Sequence, residues 1–331
     1  MDVPETVATV VDREFAGSDI HGIERLSGGC KETYRVELTD SVVVVASPRE
    51  AWYERQFALE PALMRLVRRE TSVPVPRVLA SDISGTRCRP YHVTAAVDAE
   101  DLHGRFATLD RETQVALVGT LGATLAALHR SVRFDAPGPL RPATDRGVTV
   151  DARRSWPAFL AELVGGWIDD LDGGQFADLK PTYRRVLTPE SFLSVDVEPV
   201  CLHFDYSPGN LLTRGETLAG VVDWGFAVAG HAEYDLFEFE KNVLLGELDD
   251  EATREALRPH LYAGYRRTGE LEPGWKRRRA FYRVAYKLAS MQSFHRWTAE
   301  MTRVERDAMA AQLRTELETD LDSLRRWQTD G

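Results

Sequence analysis

Lysine is conspicuously short in this chain of 331 residues, occurring only at positions 31, 180, 241, 276 and 287, and asparagine occurs only at 210 and 242. No lysine follows a glycine, so the G-x-x-x-x-G-K-[ST] phosphate loop is absent and P-loop chemistry is excluded. The cysteines (Cys30, Cys88 and Cys201) are odd in number and far apart, which argues against a disulfide framework or a clustered zinc site; a reducing cytoplasm is expected. The longest purely apolar run, Val42–Ala46, falls far short of a bilayer span. The opening MDVPETVATVVDREF carries acids where a secretion signal needs basic residues. Positive charge is in deficit overall: the formal net charge is −11, which disfavours nucleic acid or anionic membrane as a partner. Such a surface suits a salt-rich cytoplasm, and a genome biased towards Arg and Asp codons accounts for it equally well. Fixed-period repeats are absent too, which removes solenoids.

What is present divides in two. TYRVELTD (Thr33–Asp40) and SVVVVASP (Ser41–Pro48) read as a β-hairpin, and VPVPRVLASD and RPYHVTAAVD supply two more strands. Tyr53–Arg69 has helical apolar spacing, with Pro61 expected in its first turn or at a kink. Beyond Asp98 the spacing becomes helical, over Glu112–Arg130, Trp156–Leu171, Tyr234–Leu248, Arg278–Trp297 and Val304–Trp327. Val200–Leu212 and Leu218–Val228 read as two short strands around a loop. The pattern predicts a small β-rich lobe joined near Thr94–Val97 to a larger helical one.

Two segments carry chemistry. LHFDYSPGNLL (Leu202–Leu212) sets His203, Asp205 and Asn210 around a Pro208-Gly209 turn, and AGVVDWGFAVAG places Asp223 just before Gly225. Turn capping would accept either acid, but phosphoryl transfer needs a carboxylate to orient the attacking hydroxyl and oxygen ligands for magnesium. His203, Asp205 and Asn210 match the H-x-D-x-x-x-x-N of kinase catalytic loops, and DWG stands where D-F-G follows. A metallohydrolase built on His203, Asp205 and His231 would lack a helix-borne H-E-x-x-H pair.

The sequence resembles the aminoglycoside phosphotransferase and choline kinase-like small-molecule kinases over nearly its whole length. LSGGCKETYRV is similar to their glycine-containing nucleotide loop and LGATLAALH to the helix before the catalytic region. HFDYSPGNLL and GVVDWGFAVAGHAEYDL resemble the catalytic and metal-binding segments. The resemblance implies an α+β, bilobal protein-kinase-like fold. An N-terminal nucleotide-binding lobe would cover 1–97, and a helical lobe with the catalytic loops and substrate site 98–331. It implies an ATP-dependent (or other NTP-dependent) phosphotransferase acting on a hydroxyl of an aminoglycoside, amino alcohol or sugar. Asp205 would be catalytic, Asn210 and Asp223 would bind Mg2+, and His203 would brace the loop. Gly28 and Gly29 would cover the phosphates, and the backbone from Ala95 to Val97 would meet the adenine.

One departure stands out. The strand SVVVVASP has no basic residue where kinases place one to grip the phosphates and pair with a helix Glu; the best register puts Val45 there. Lys31, two residues after Gly29, is the replacement candidate, paired with Glu60 (Glu54 being the other acid available), as with-no-lysine protein kinases supply theirs from the glycine-rich side. Without it the chain would be a nucleotide-binding pseudokinase with a regulatory or scaffolding role. His129 is expected to be structural or a helix C-terminal cap, His231 to serve its loop with contact to substrate as the alternative, and Asp235 to cap a helix beginning at Leu236. The acids Glu238, Glu240, Glu247, Asp249 and Asp250 would form either a rim for a cationic acceptor or part of a generally acidic surface. Oligomeric state is not legible in the sequence.

Overall fold

The computed structural model describes residues 3–26, 29–86, 88–143, 147–171, 174–193, 198–248, 250–299 and 301–329; Gly28 and Asp249 lie outside these. The amino-terminal region runs α1 (Glu5–Glu14), β1 (Ile20–Leu26), β2 (Lys31–Leu38), β3 (Ser41–Pro48), α2 (Glu54–Glu70), β4 (Val78–Asp82) and β5 (Tyr91–Ala95). Its strands form one antiparallel sheet in the order β1-β2-β3-β5-β4. The β2–β3 hairpin turns where the alternation of β-branched residues breaks, at Thr39 and Asp40. Spacing misses α1, whose apolar stripe of Val7, Val10 and Val11 covers one sheet face and packs with Val36, Val43 and Val45. Pro61 lies well inside α2 rather than in its first turn.

The other sheet face turns towards α2, and the period of two along a strand decides which residues look that way. Ala46, not Val45, is buried on that side with Tyr53 and Phe57. The strand position facing α2 is therefore Ala46, which corrects the register by one; a one-residue slip exchanges the faces of every side chain.

The remaining chain runs β6 (Glu100–Asp101), α3 (Arg111–Ser131), β7 (Gly138–Pro142), β8 (Val148–Val150), α4 (Trp156–Asp169), α5 (Lys180–Val186) and α6 (Pro189–Phe192). Then come β9 (Val200–Leu202), β10 (Leu211–Arg214), β11 (Thr217–Val221), β12 (Val228–Gly230), α7 (Glu233–Phe239), α8 (Glu251–Tyr265), α9 (Trp275–Gln292), α10 (Phe294–Trp297) and α11 (Arg303–Thr329). α3 starts where the Asp110 side chain accepts the Thr113 N–H, and it packs closely on α8. A side chain at Gly264 would run into the Gly119 carbonyl, so glycine sets that approach. Two expectations change here. The two strands read between 200 and 228 are four, because β10 and β11 form their own hairpin. The single helix expected over Tyr234–Leu248 is α7 followed by a π-helical turn, Glu240–Leu245. Such a turn absorbs an extra residue that a 3.6-residue period cannot register.

Candidate active site

The catalytic-loop candidates sit between β9 and β10, and buried groups hold them from below. His203 is fully buried; its Nε2–H donates to the Val222 carbonyl at 2.9 Å, and its ring lies 4.6 Å from that of Trp224. Burial lowers its pKa, and Nδ1 has no partner among the described residues, so it braces the loop as a neutral ring. The backbone N–H groups of His203 and Phe204 donate to Asp235 at 2.6 and 2.9 Å. Asp235 lies inside α7, is completely buried, and also meets His129 Nε2 at 3.3 Å. It is an anchor for the loop and not a helix cap, a role invisible along the chain because its partners are 32 and 31 residues away. His129 is structural as expected, its Nδ1 being 3.0 Å from the Tyr265 hydroxyl.

Asp205 projects from this anchored loop and is partly exposed. Asn210 Nδ2 donates to its Oδ2 at 3.0 Å and to its carbonyl at 2.9 Å. Burial, then the negative charge of Asp223, pushes the Asp205 carboxyl up to about 7, against the opposing pull of Ser207, Asn210 and Lys31. A carboxylate poised there can accept a proton near neutrality.

Asp223 stands opposite, in the left-handed region at φ 62° and ψ 59°, a conformation uncommon outside glycine and often retained at functional sites. Gly225 serves differently, by leaving room: a side chain there would strike the Tyr53 hydroxyl, which donates to Asp223 Oδ1 at 3.2 Å.

Lys31 joins the two regions. Its Nζ lies 3.0 and 3.1 Å from the two carboxylate oxygens of Glu60 on α2 and 2.9 Å from Asp223 Oδ1. It opens β2 on the face that carries Ala46, two residues from Thr33, which pairs with Ala46. A cation on the neighbouring strand, on the same face, therefore stands against Glu60, where β3 has none. His92 Nε2 lies 3.3 Å from Glu60 on its other side. Burial alone would raise Glu60, but Lys31 and His92 outweigh it and hold the carboxyl well below its usual range. Burial likewise opposes the charge on Lys31, and Glu60 and Asp223 raise its pKa regardless. The pairing expected between Lys31 and Glu60 is present; the third partner, Asp223, and the His92 contact were not foreseen, though His92 occupies the strand opposite Ala46.

The other expectations fare unevenly. Gly29 borders the opening of β2 with free space around it. The Ala95 N–H is bonded to the Arg77 carbonyl at 2.9 Å and that of Ala96 to Val42 at 3.0 Å, whereas the Val97 N–H has no backbone partner among the described residues. Among the described residues the expected acids do not form one continuous rim: Asp250 is exposed, while Glu240 and Glu238 are buried. Glu240 is fully buried between Arg258 and Arg279, Glu247 accepts the Gly104 N–H at 2.9 Å, and Asp250 caps α8. Glu238 lies beside Asp205, buried, with its pKa pushed well up by burial, Asp235 and Asp205. His231 is buried 3.3 Å from the Tyr282 hydroxyl. No described helix is long and apolar enough to cross a membrane.

The model of the phosphotransferase enzyme family matches residues 22–281, a span that includes Lys31, Glu60, Asp205, Asn210 and Asp223. The chain belongs to this family. A homoserine kinase of Granulibacter bethesdensis is 29% identical to this chain over 126 residues, 38% of the chain and 36% of that protein's length. Among solved structures, the GDP complex of aminoglycoside 2′-phosphotransferase-IIIa shares the fold with a TM-score of 0.64 at 14% identity, covering 96% of this chain and 98% of that one. The macrolide 2′-phosphotransferase of Brachybacterium faecium gives 0.57 at 18% identity, with 92% and 97% covered. The chain therefore has the α+β, bilobal kinase-like fold, with the antiparallel sheet towards its amino-terminal end and the helices beyond.

Proposed function

We propose that the chain transfers the terminal phosphoryl group of ATP, or another nucleoside triphosphate, to a hydroxyl of a small molecule. The observation that carries this reading is the triangle of Lys31, Glu60 and Asp223 facing an Asp205 held by Asn210. The lobes would be residues 1–97 and 98–331, with Ala95–Val97 as the hinge. Since the Ala95 amide is spent within the protein, the hinge donor to adenine falls to Val97, and Gly29 would lie over the phosphates. That the aminoglycoside 2′-phosphotransferase of this fold is a GDP complex supports a nucleotide ligand for this chain.

A magnesium ion fits the donors present. Mg2+ takes one or two protein oxygens and completes its shell with phosphate and water. Asn210 keeps its side-chain oxygen free while Nδ2 is engaged by Asp205, and Asp223 meets Lys31 and Tyr53 through Oδ1, leaving Oδ2 for the ion. The ion would supply charge neutralisation across the phosphates. Lys31 binds a phosphate oxygen from its position against Glu60. Asp205 orients the acceptor hydroxyl and takes its proton; its raised pKa keeps that proton transfer accessible near neutrality. Among the described residues Glu238 is the acid of the expected rim beside Asp205, and it favours a singly aminated alcohol over a polycationic aminoglycoside, because one ammonium group would offset the cost of ionising it. The homoserine kinase relative is in keeping with that choice. The relocated cation supports a working transferase over a pseudokinase. A phosphate-release or product assay with Mg·ATP against amino alcohols, amino sugars and aminoglycosides tests the proposal: turnover on none of them, with nucleotide bound, would return the chain to a binding role.

A further inference from the structure

The groove between α8, α9 and α11 gathers cations in a chain that is short of them. Its cavity of ≈ 490 Å³ is lined by Arg258, Arg266, Lys276, Arg279 and Arg283, and by one acid, Glu255. Two further carboxylates take up part of this charge: Glu240 pairs with Arg258 and Arg279, and Asp320 lies 2.7 Å from Arg283. Arg266 and Lys276 are exposed and, among the described residues, have no carboxylate partner. The positive charge of the groove therefore exceeds its local compensation, against a chain charge of −11.

Aromatic surface shares the same walls. Trp275 packs at 4.7 Å against Tyr262, whose ring lies 6.0 Å from the Arg266 guanidinium. Trp327 leaves 38% of its surface open. Cations take an anionic group, guanidinium in a planar, forked geometry, and an indole face takes a planar apolar body. The volume falls within the range of small-molecule sites, about 300–1,000 Å³. None of Lys31, Glu60, Asp205, Asn210 or Asp223 lines the groove, so its occupant is neither the nucleotide nor the acceptor of the transfer reaction.

We propose that this groove is a second ligand site, built for a small aromatic anion carrying a carboxylate, phosphate or sulfonate. The probe is naphthalene-2-sulfonate, titrated into the full chain by calorimetry with and without saturating Mg·AMP-PNP. One-to-one binding is expected, unchanged by AMP-PNP, tighter than that of inorganic sulfate, and absent for the cationic analogue naphthalen-2-ylmethylammonium. The double substitution Arg266→Glu and Lys276→Glu should weaken it about tenfold or more, because like charges would then face the ligand. Trp327→Ala should weaken it on its own. All three side chains are exposed, so the variants should keep the wild-type melting midpoint, which is measured in parallel. Absence of saturable binding, displacement by AMP-PNP, equal affinity for sulfate, or indifference to the charge reversal would each overturn the proposal.

Discussion

Replacing Lys31 by Met removes the cation that stands between the Glu60 and Asp223 carboxylates, and its effects on folding and on nucleotide can be separated. The Lys31 side chain is 11% exposed and that of Glu60 3%. Taking one partner from a buried ion pair costs about 3–5 kcal/mol. His92 remains 3.3 Å from Glu60 and Asp223 is 27% exposed, so a smaller loss, about 2–3 kcal/mol, is expected. That loss depends on pH in a definite sense. The folded Glu60 carboxyl is held below its ordinary value, so the pair contributes above the unfolded pKa of about 4.3 and fades as pH falls below it. Urea melts should show the full deficit at pH 7 and a shrinking one on acidification. Lys31→Arg, which keeps the charge, should recover most of the stability. For nucleotide, a charge-assisted hydrogen bond is worth about 1.5–3 kcal/mol, so Lys31→Met should bind Mg·ATP about 10- to 100-fold more weakly by calorimetry. Unchanged Mg·ATP affinity in a folded Lys31→Met protein would refute the reasoning that this lysine replaces the missing strand cation.

The other predictions follow from single contacts. Asp205→Asn should cut turnover by about 10²–10⁴ while the dissociation constant for nucleotide stays within about twofold, since the role proposed for the residue is at the acceptor; equal losses in both would place Asp205 on the nucleotide instead. Asp235→Ala strands the His203 and Phe204 amides and should cost about 3–5 kcal/mol, with faster hydrogen exchange at 203–206 ahead of global unfolding; slow exchange there would show that Asp235 is not the anchor. His231 has its pKa lowered to about 3 by burial and then by Arg278. The unfolded chain takes up that proton below about pH 6.5 and the folded chain does not, so stability falls as pH drops from 6.5 towards 3. His231→Gln should flatten this acid limb by up to about 4 kcal/mol; an unaltered limb would show that His231 is protonated in place.

The local spacing of His203, Asp205 and Asn210 was legible in the sequence because one short loop fixes all three, and the alternation in Thr33–Pro48 was legible because a strand repeats every two residues. The scarcity of lysine made Lys31 conspicuous before any partner was known. Which groups those residues meet was a matter of tertiary packing. Lys31 and Glu60 are 29 residues apart and Lys31 and Asp223 are 192, and only the docking of α2 and the DWG turn against one sheet face brings them together. The same applies to the acids. Glu240 reads as surface along the chain and is buried against Arg258 and Arg279, which arrive from α8 and α9. Asp235 reads as a cap and holds the catalytic loop. Composition and short-range periodicity determine which elements form and where reactive groups cluster along the chain. The pairing of buried charges depends on which face of each element meets which neighbour, because desolvation makes a carboxylate costly wherever no partner arrives.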